Sequence, residues 1–244
     1  MSKLVLFTVV TVIGLWGWAE AAPISYKDFE ARTHKISSSQ SLPYRLFKPK
    51  GYSPANKYAI MVTLHGAGER GTDDSLQLKF QFGLMWADSV NQAIRPCFVL
   101  APQCPPDPHR WVNRPWDSGT YDFSKVPIST SLEAVMNILD SLGREFSLDT
   151  DRFYVSGMSM GGYGSWYLLM KYPTKFAAAV PVCGGADPKT ASSLKGTPIW
   201  AFHSADDGVV PVSGSRDIIN QIQAEGGNPK YTEYPASLNY GHNA

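Results

Sequence analysis

Across 244 residues the charges nearly cancel, 22 Lys and Arg against 21 Asp and Glu, which excludes the basic footprint of a nucleic-acid or anionic-membrane binder and points to neutral substrates. The length suits one large α/β domain with a sizeable core. Seven Trp within 12% aromatics are generous for packing alone, so some are expected to line a cleft while the rest fill the core.

The first residues form a separate unit. Lys3 precedes an apolar run from Leu4 to Trp18, followed by Ala19-Glu20-Ala21. A basic start, about 15 apolar residues and a small-x-small site describe a secretory signal peptide, residues 1–21, cut near Ala21. Such a run falls short of the ~20 residues that span a bilayer, and no cysteine follows it to carry a lipid. The expectation is an exported protein, periplasmic or extracellular, with no stable membrane insertion after cleavage. Cys97, Cys104 and Cys183 are an odd number for an oxidising compartment. An extended run would hold Cys97 and Cys104 about 23 Å apart, too far for a disulfide, so buried free thiols are expected. No Cys/His cluster has metal spacing.

Two strands, Phe29 to Ile36 and Leu42 to Phe47, flank the polar turn Ser37-Ser38-Ser39-Gln40 and predict an antiparallel entry hairpin. Tyr58 to Leu64 is a continuous apolar run, as in the middle of a parallel sheet. It ends in His65-Gly66-Ala67-Gly68-Glu69-Arg70-Gly71, where closely spaced glycines let backbone N–H groups converge on an anion. Leu76 to Val90 reads as mostly helix, and Cys97 to Ala101 as the next buried strand. The long irregular stretch from Pro102 to Pro127 holds Trp111, Trp116 and Tyr121. A loop of this length is usually functional, and Trp111 and Trp116 are expected near the mouth of a site, gripping an acyl or aryl group; plain loop packing is the alternative.

Thr130-x-x-Glu133 reads as a capping box opening a helix whose Leu132, Val135, Met136, Leu139, Leu142 and Phe146 share one face. Asp149-Thr150-Asp151 reads as the turn into the next strand. Phe153-Tyr154-Val155 then runs into Gly157-x-Ser159-x-Gly161, followed by the bulky helix Trp166 to Met170. Strand, G-x-S-x-G and helix in this order are the signature of a nucleophile elbow: a serine projects from so tight a turn only if the residues two before and two after lack side chains. Ser159 is the candidate nucleophile, and the Met160 N–H faces the same space as an oxyanion donor. The second donor in such sites comes from the loop after an earlier strand, which assigns the Ala67 N–H. His65 is expected to support that loop rather than transfer protons.

Phe176 to Val182 and Pro198 to His203 are further strands. Asp206 and Asp207 follow the second, where a triad acid belongs; Asp207 is favoured and Asp206 is expected to bond local backbone. Ser213 to Glu225 reads as helix and Lys230 to Tyr234 as the last strand. The loop beyond delivers His242, completing the order Ser159, Asp207, His242. His203 on its strand, and His34 and His109 ahead of the serine, fit less well.

Taken together, His65-Gly66-Ala67-Gly68-Glu69-Arg70-Gly71, Ala101-Pro102-Gln103-Cys104-Pro105, Gly157-Met158-Ser159-Met160-Gly161-Gly162, Trp200-Ala201-Phe202-His203 with Asp207 and Val210-Pro211, and Gly241-His242-Asn243 resemble the secreted α/β-hydrolase esterases. Within them the chain is similar to the group of polyhydroxybutyrate depolymerases, feruloyl and acetyl-xylan esterases and prolyl-oligopeptidase-like hydrolases, over roughly Phe29 to the end. The resemblance implies an α/β-hydrolase catalytic domain over 22–244, a mostly parallel central sheet with helices on both faces, and a serine carboxylic-ester hydrolase. It implies no cofactor or metal, and a small-molecule, polysaccharide or polyester ester as substrate. A small exported peptidase and a non-catalytic hydrolase-like binding protein are the alternatives. Two features depart from the group. Its members usually continue past the histidine with a tryptophan and a final helix over the sheet, whereas this sequence stops at Ala244, so the expectation is either a truncated fragment or a sheet left partly bare with the histidine loop poorly held; and Ser204 stands where the group often has glycine.

Overall fold

The computed structural model describes residues 23–114 and 118–243. The segment read as a signal peptide, residues 1–21, lies outside them, as does Trp116.

Strands β1 (Glu30–Lys35) and β2 (Ser41–Phe47) form the expected hairpin, its turn tied by Ser37 Oγ accepting the Gln40 N–H at 3.1 Å. All seven residues of β3 (Tyr58–Leu64) are buried, as a run with no polar alternation requires. With β4 (Cys97–Pro102), β5 (Leu148–Met158), β6 (Ala178–Val182), β7 (Trp200–Ser204) and β8 (Lys230–Tyr234) they make an eight-stranded sheet ordered β1-β2-β4-β3-β5-β6-β7-β8. The β1–β2 and β2–β4 pairs are antiparallel and the remaining pairs parallel. Because β3, β5 and β7 run the same way, the loops that leave them open at one end of the sheet, and the candidate residues gather there.

The helices are α1 (Gln81–Leu84), α2 (Ser89–Ile94), α3 (Thr130–Glu145), α4 (Met160–Lys171), α5 (Ala191–Leu194) and α6 (Ser213–Ala224). One face of the sheet lies under α3, α4 and α6, whose Leu132, Val135, Leu139, Trp166, Leu168 and Ile218 share a core with Ile60, Val62, Phe98 and Val155. Full burial of side chains this size stabilises by roughly 1.5–3 kcal/mol each. A smaller core on the other face joins Leu78, Leu84 and Ala87 to Phe47, Val99 and Ala101. This cover stops short of the far strands: Tyr154, Val180 and Phe202 are half-buried and Trp200 is 44% exposed. A hollow of about 990 Å³ opens there, lined by Met61, Trp86, Ile94, Tyr154 and Val180 among others. Among the described residues no helix is long and apolar enough to cross a membrane.

Three local expectations give way to the structure. The Leu76 to Val90 stretch is a chain of short helical pieces, because Phe80 is extended and Asp88 caps a new helix by accepting the Val90 N–H at 2.9 Å. The N-cap of α3 is Ser129, whose Oγ accepts the Leu132 N–H at 3.1 Å and donates to the Trp111 carbonyl at 2.7 Å. That places Glu133 one residue too late to close a capping box. Asp149-Thr150-Asp151 belongs to β5: the strand starts at Leu148 opposite Tyr58, and a register shift absorbs the extra residues before Phe153 pairs with Ile60.

Candidate active site

Ser159 sits between β5 and α4 with φ 56° and ψ −117°, a conformation non-glycine residues avoid, at a cost on the order of 1–3 kcal/mol. Its neighbours hold it there. The Ser159 N–H donates to the Val182 carbonyl and its own carbonyl accepts the Tyr163 N–H, both at 3.0 Å. A Cβ on Gly157 would run into the Gly161 carbonyl, and one on Gly161 into the Leu64 carbonyl. The absence of those two side chains lets α4 settle against β3 and β5 with the serine left at the turn.

Asp207 lies on the loop after β7, its side chain fully buried. Burial alone would raise its pKa. It is nevertheless held well below the usual carboxylate range by hydrogen bonds from His203, His242 and the N–H groups of Val210 and Val209. Oδ1 takes the two backbone donors at 2.9 Å each, while Oδ2 lies 2.8 Å from His242 Nδ1 and 3.3 Å from His203 Nε2. His242 is carried on the helical turn Gly241–Asn243 and points its Nε2 at Ser159 Oγ, 2.7 Å away. A carboxylate can only accept, so Nδ1 carries the proton and Nε2 is left to accept the serine O–H. Asp206 faces elsewhere: its Oδ1 accepts the Gly241 N–H at 3.1 Å and the Ser204 hydroxyl, steadying the turn under His242. His203 is fully buried, with Nε2 donating to the Val210 carbonyl at 3.0 Å. It buttresses Asp207 without reaching the serine.

Ala67 and Met160 each open a helical turn, and the N–H of a first helical residue has no acceptor within its helix. The loop carrying Ala67 is fastened by two buried residues. His65 donates from Nδ1 to the Gly66 carbonyl at 2.6 Å and accepts the Cys104 N–H on Nε2 at 2.9 Å. Burial pushes its pKa down to about 4, so the ring is neutral at pH 7. Trp111 is fully buried, its Nε1 donating to the His65 carbonyl at 3.0 Å. Its expected place at the mouth of the site is therefore corrected: the ring braces the loop from beneath and offers no face to a ligand, because its N–H found a buried acceptor. Trp116 is outside the described residues.

Ser159, His242 and Ala67 share a cleft of about 320 Å³ with Glu69, Phe80, Met158 and Val209. These last four were not anticipated. Glu69 and Val209 stand two residues beyond Ala67 and Asp207, so loop proximity was the available signal; Phe80 was assigned to a helix. Among the described residues, Cys183, Asp207 and His242 bring ligand atoms within 4.8 Å of one another. Asp207 and His242 already engage each other, however, and burial pushes the Cys183 thiol up to about 12, so the set is poorly suited to a metal.

A model of the prolyl oligopeptidase family matches residues 129–195, a stretch that includes the elbow. The bifunctional acetylxylan esterase/xylanase XynS20E of Neocallimastix patriciarum is 33% identical over 93 residues, 38% of this chain and 12% of that one. The poly(3-hydroxyoctanoate) depolymerase of Pseudomonas fluorescens is 25% identical over 178 residues, 67% of this chain and 61% of that one. Among solved structures, a thermostable esterase matches with a TM-score of 0.78 and 42% identity, over 86% of this chain and 55% of that one. An acylaminoacyl peptidase of Pyrococcus horikoshii matches with a TM-score of 0.62 at 15% identity, a likeness of fold alone. The chain spans less than two thirds of the length of each of these proteins.

Proposed function

We propose that this chain, an α/β-hydrolase of the serine-esterase type, is an exported hydrolase of carboxylic esters. The observation that carries the reading is the unbroken hydrogen-bond path from Ser159 Oγ through His242 to the buried Asp207 carboxylate, opening on a small and largely apolar cleft. In this reading His242 takes the serine proton as the oxygen attacks the ester carbonyl. Asp207 fixes the imidazole tautomer and stabilises the imidazolium. The N–H groups of Ala67 and Met160 receive the oxyanion, a contribution of about 3 kcal/mol per donor. His242 returns the proton to the leaving alcohol, and water then resolves the acyl-enzyme with the same base.

A cleft of about 320 Å³ walled by Phe80, Met158 and Val209 suits a short acyl group rather than a folded peptide. The similarity to an acetylxylan esterase and a polyester depolymerase supports esters of a polysaccharide or polyester as the substrate class. The peptidase alternative rests on the family model and on fold likeness, and is the weaker of the two. Hydrolysis of p-nitrophenyl acetate by residues 22–244, with Ser159→Ala alongside, tests the reading: a serine-dependent rate is expected, and equal rates for the two proteins would sink it.

A further inference from the structure

The cleft contains one ionisable side chain that the proposed mechanism leaves unused. Glu69 closes the helical turn that Ala67 opens, so the residue assigned to the oxyanion and this carboxylate share one rigid turn. The carboxylate is half-buried. Burial pushes its pKa up; the N–H groups of Gly66 and of Glu69 itself, which hold it against the loop by hydrogen bonding, and the charge of Lys79 pull the other way. Its orientation is read from Gly66: a Cβ there would lie 3.0 Å from Glu69 Oε2 and 3.7 Å from the Ser159 Cβ. The carboxylate oxygen and the serine Cβ thus border the same point and lie within about 7 Å of each other. The adjacent cation turns away, Arg70 donating to the Ala67 carbonyl, to Asp107 and to the His109 carbonyl. The other cleft walls, Phe80, Met158 and Val209, are apolar.

We infer that Glu69 is a specificity-determining residue, a charge filter that admits neutral and cationic esters and bars esters whose acyl group ends in a carboxylate. The inference rests on the esterase reading above. An anionic acyl group entering this cleft would leave its water behind and meet a like charge; among the described residues the lining itself holds no Lys or Arg, and the Lys79 ammonium, 5.6 Å from the centroid of the Phe80 ring, is drawn to Glu69. A neutral acyl group incurs neither.

The test compares kcat/KM for p-nitrophenyl butyrate and mono-p-nitrophenyl succinate, which share a leaving group and a four-carbon acyl chain and differ in the terminal carboxylate. The wild type is expected to discriminate against the succinate by about tenfold or more, and the succinate-to-butyrate ratio to rise about tenfold in Glu69→Gln and further in Glu69→Lys. Because each variant supplies its own ratio, a general loss of activity does not disturb the comparison. An unchanged ratio in folded variants overturns the filter. Should neither variant fold, the wild type decides: a deficit on succinate that shrinks in about 1 M salt supports the filter, and equal use of the two esters overturns it. Absence of Ser159-dependent butyrate hydrolysis in the wild type would instead strike the esterase reading itself.

Discussion

Asp207 Oδ2 lies 2.8 Å from His242 Nδ1, while both oxygens of the same carboxylate are filled by other donors, His203 and the N–H groups of Val209 and Val210. The acid is therefore fixed before the base reaches it. Asp207→Asn would present an amide where a carboxylate is needed and release the His242 tautomer, and kcat is expected to fall by about 10³- to 10⁴-fold. Asp206→Asn retains an acceptor for the Gly241 N–H and should cost far less. Steady-state kinetics on one ester decide, and the reverse ranking would move the acid role to Asp206.

Ala67 offers a way to delete a backbone donor. Gly66 precedes it with φ −73° and ψ 178°, the extended geometry that a residue before proline prefers, and Ala67 occupies the first helical position, where proline is tolerated. Ala67→Pro removes the N–H while keeping the turn. A fall in kcat of about 10²- to 10³-fold with little change in melting temperature is expected; a variant that melts normally and turns over at the wild-type rate would exclude Ala67 as an oxyanion donor.

His65 predicts how stability responds to pH. Its folded pKa is lowered from 6.5 to about 4 by burial, so between those values the unfolded chain binds a proton that the folded chain refuses. Stability then rises with pH across that window, and acidification through it removes stability on the order of 3 kcal/mol. His65→Gln, which does not titrate there, should flatten the dependence of melting temperature on pH between about 6.5 and 4. An equally steep slope in the variant would mean that other groups set it.

Gly161 tests the packing beneath the elbow. A methyl group there would strike the Leu64 carbonyl, a backbone atom at the end of β3, paired with Gly157 of β5, that cannot step aside. Gly161→Ala is expected to destabilise by roughly 1–3 kcal/mol, as overpacking does, and to lower activity by tilting the serine. Gly143→Ala, at a helical position where nothing lies within 4 Å of the added atom, is the control and should leave the melting temperature unchanged or raise it.

Much of this arrangement was legible in one dimension because it depends on local pattern. The run Tyr58 to Leu64, apolar but for Thr63 and only seven residues long, reads as an interior strand, and Gly157-x-Ser159-x-Gly161 between a strand and a helix constrains the backbone directly. The pairing of Ser159, Asp207 and His242 followed from their order along the chain, and the structure brings the three side chains together. What escaped depends on contacts between distant segments. Trp111 looked like a loop ring available to ligand until the His65 carbonyl, 46 residues away, claimed its N–H. Leu76 to Val90 has helical composition, yet Asp88 captures a backbone donor and restarts the helix. Glu69, Phe80 and Val209 come from three segments, and nothing in their spacing says that they wall one cleft.

The serine and the histidine that faces it are separated by 83 positions, and this spacing sets a timetable. The contacts that hold the elbow come from β3, β5 and β6, all ahead of it or close behind it in the chain. The histidine arrives only after β8 has been added at the margin of the sheet. The hydrogen bond between Ser159 and His242 therefore forms only when the last strand has docked.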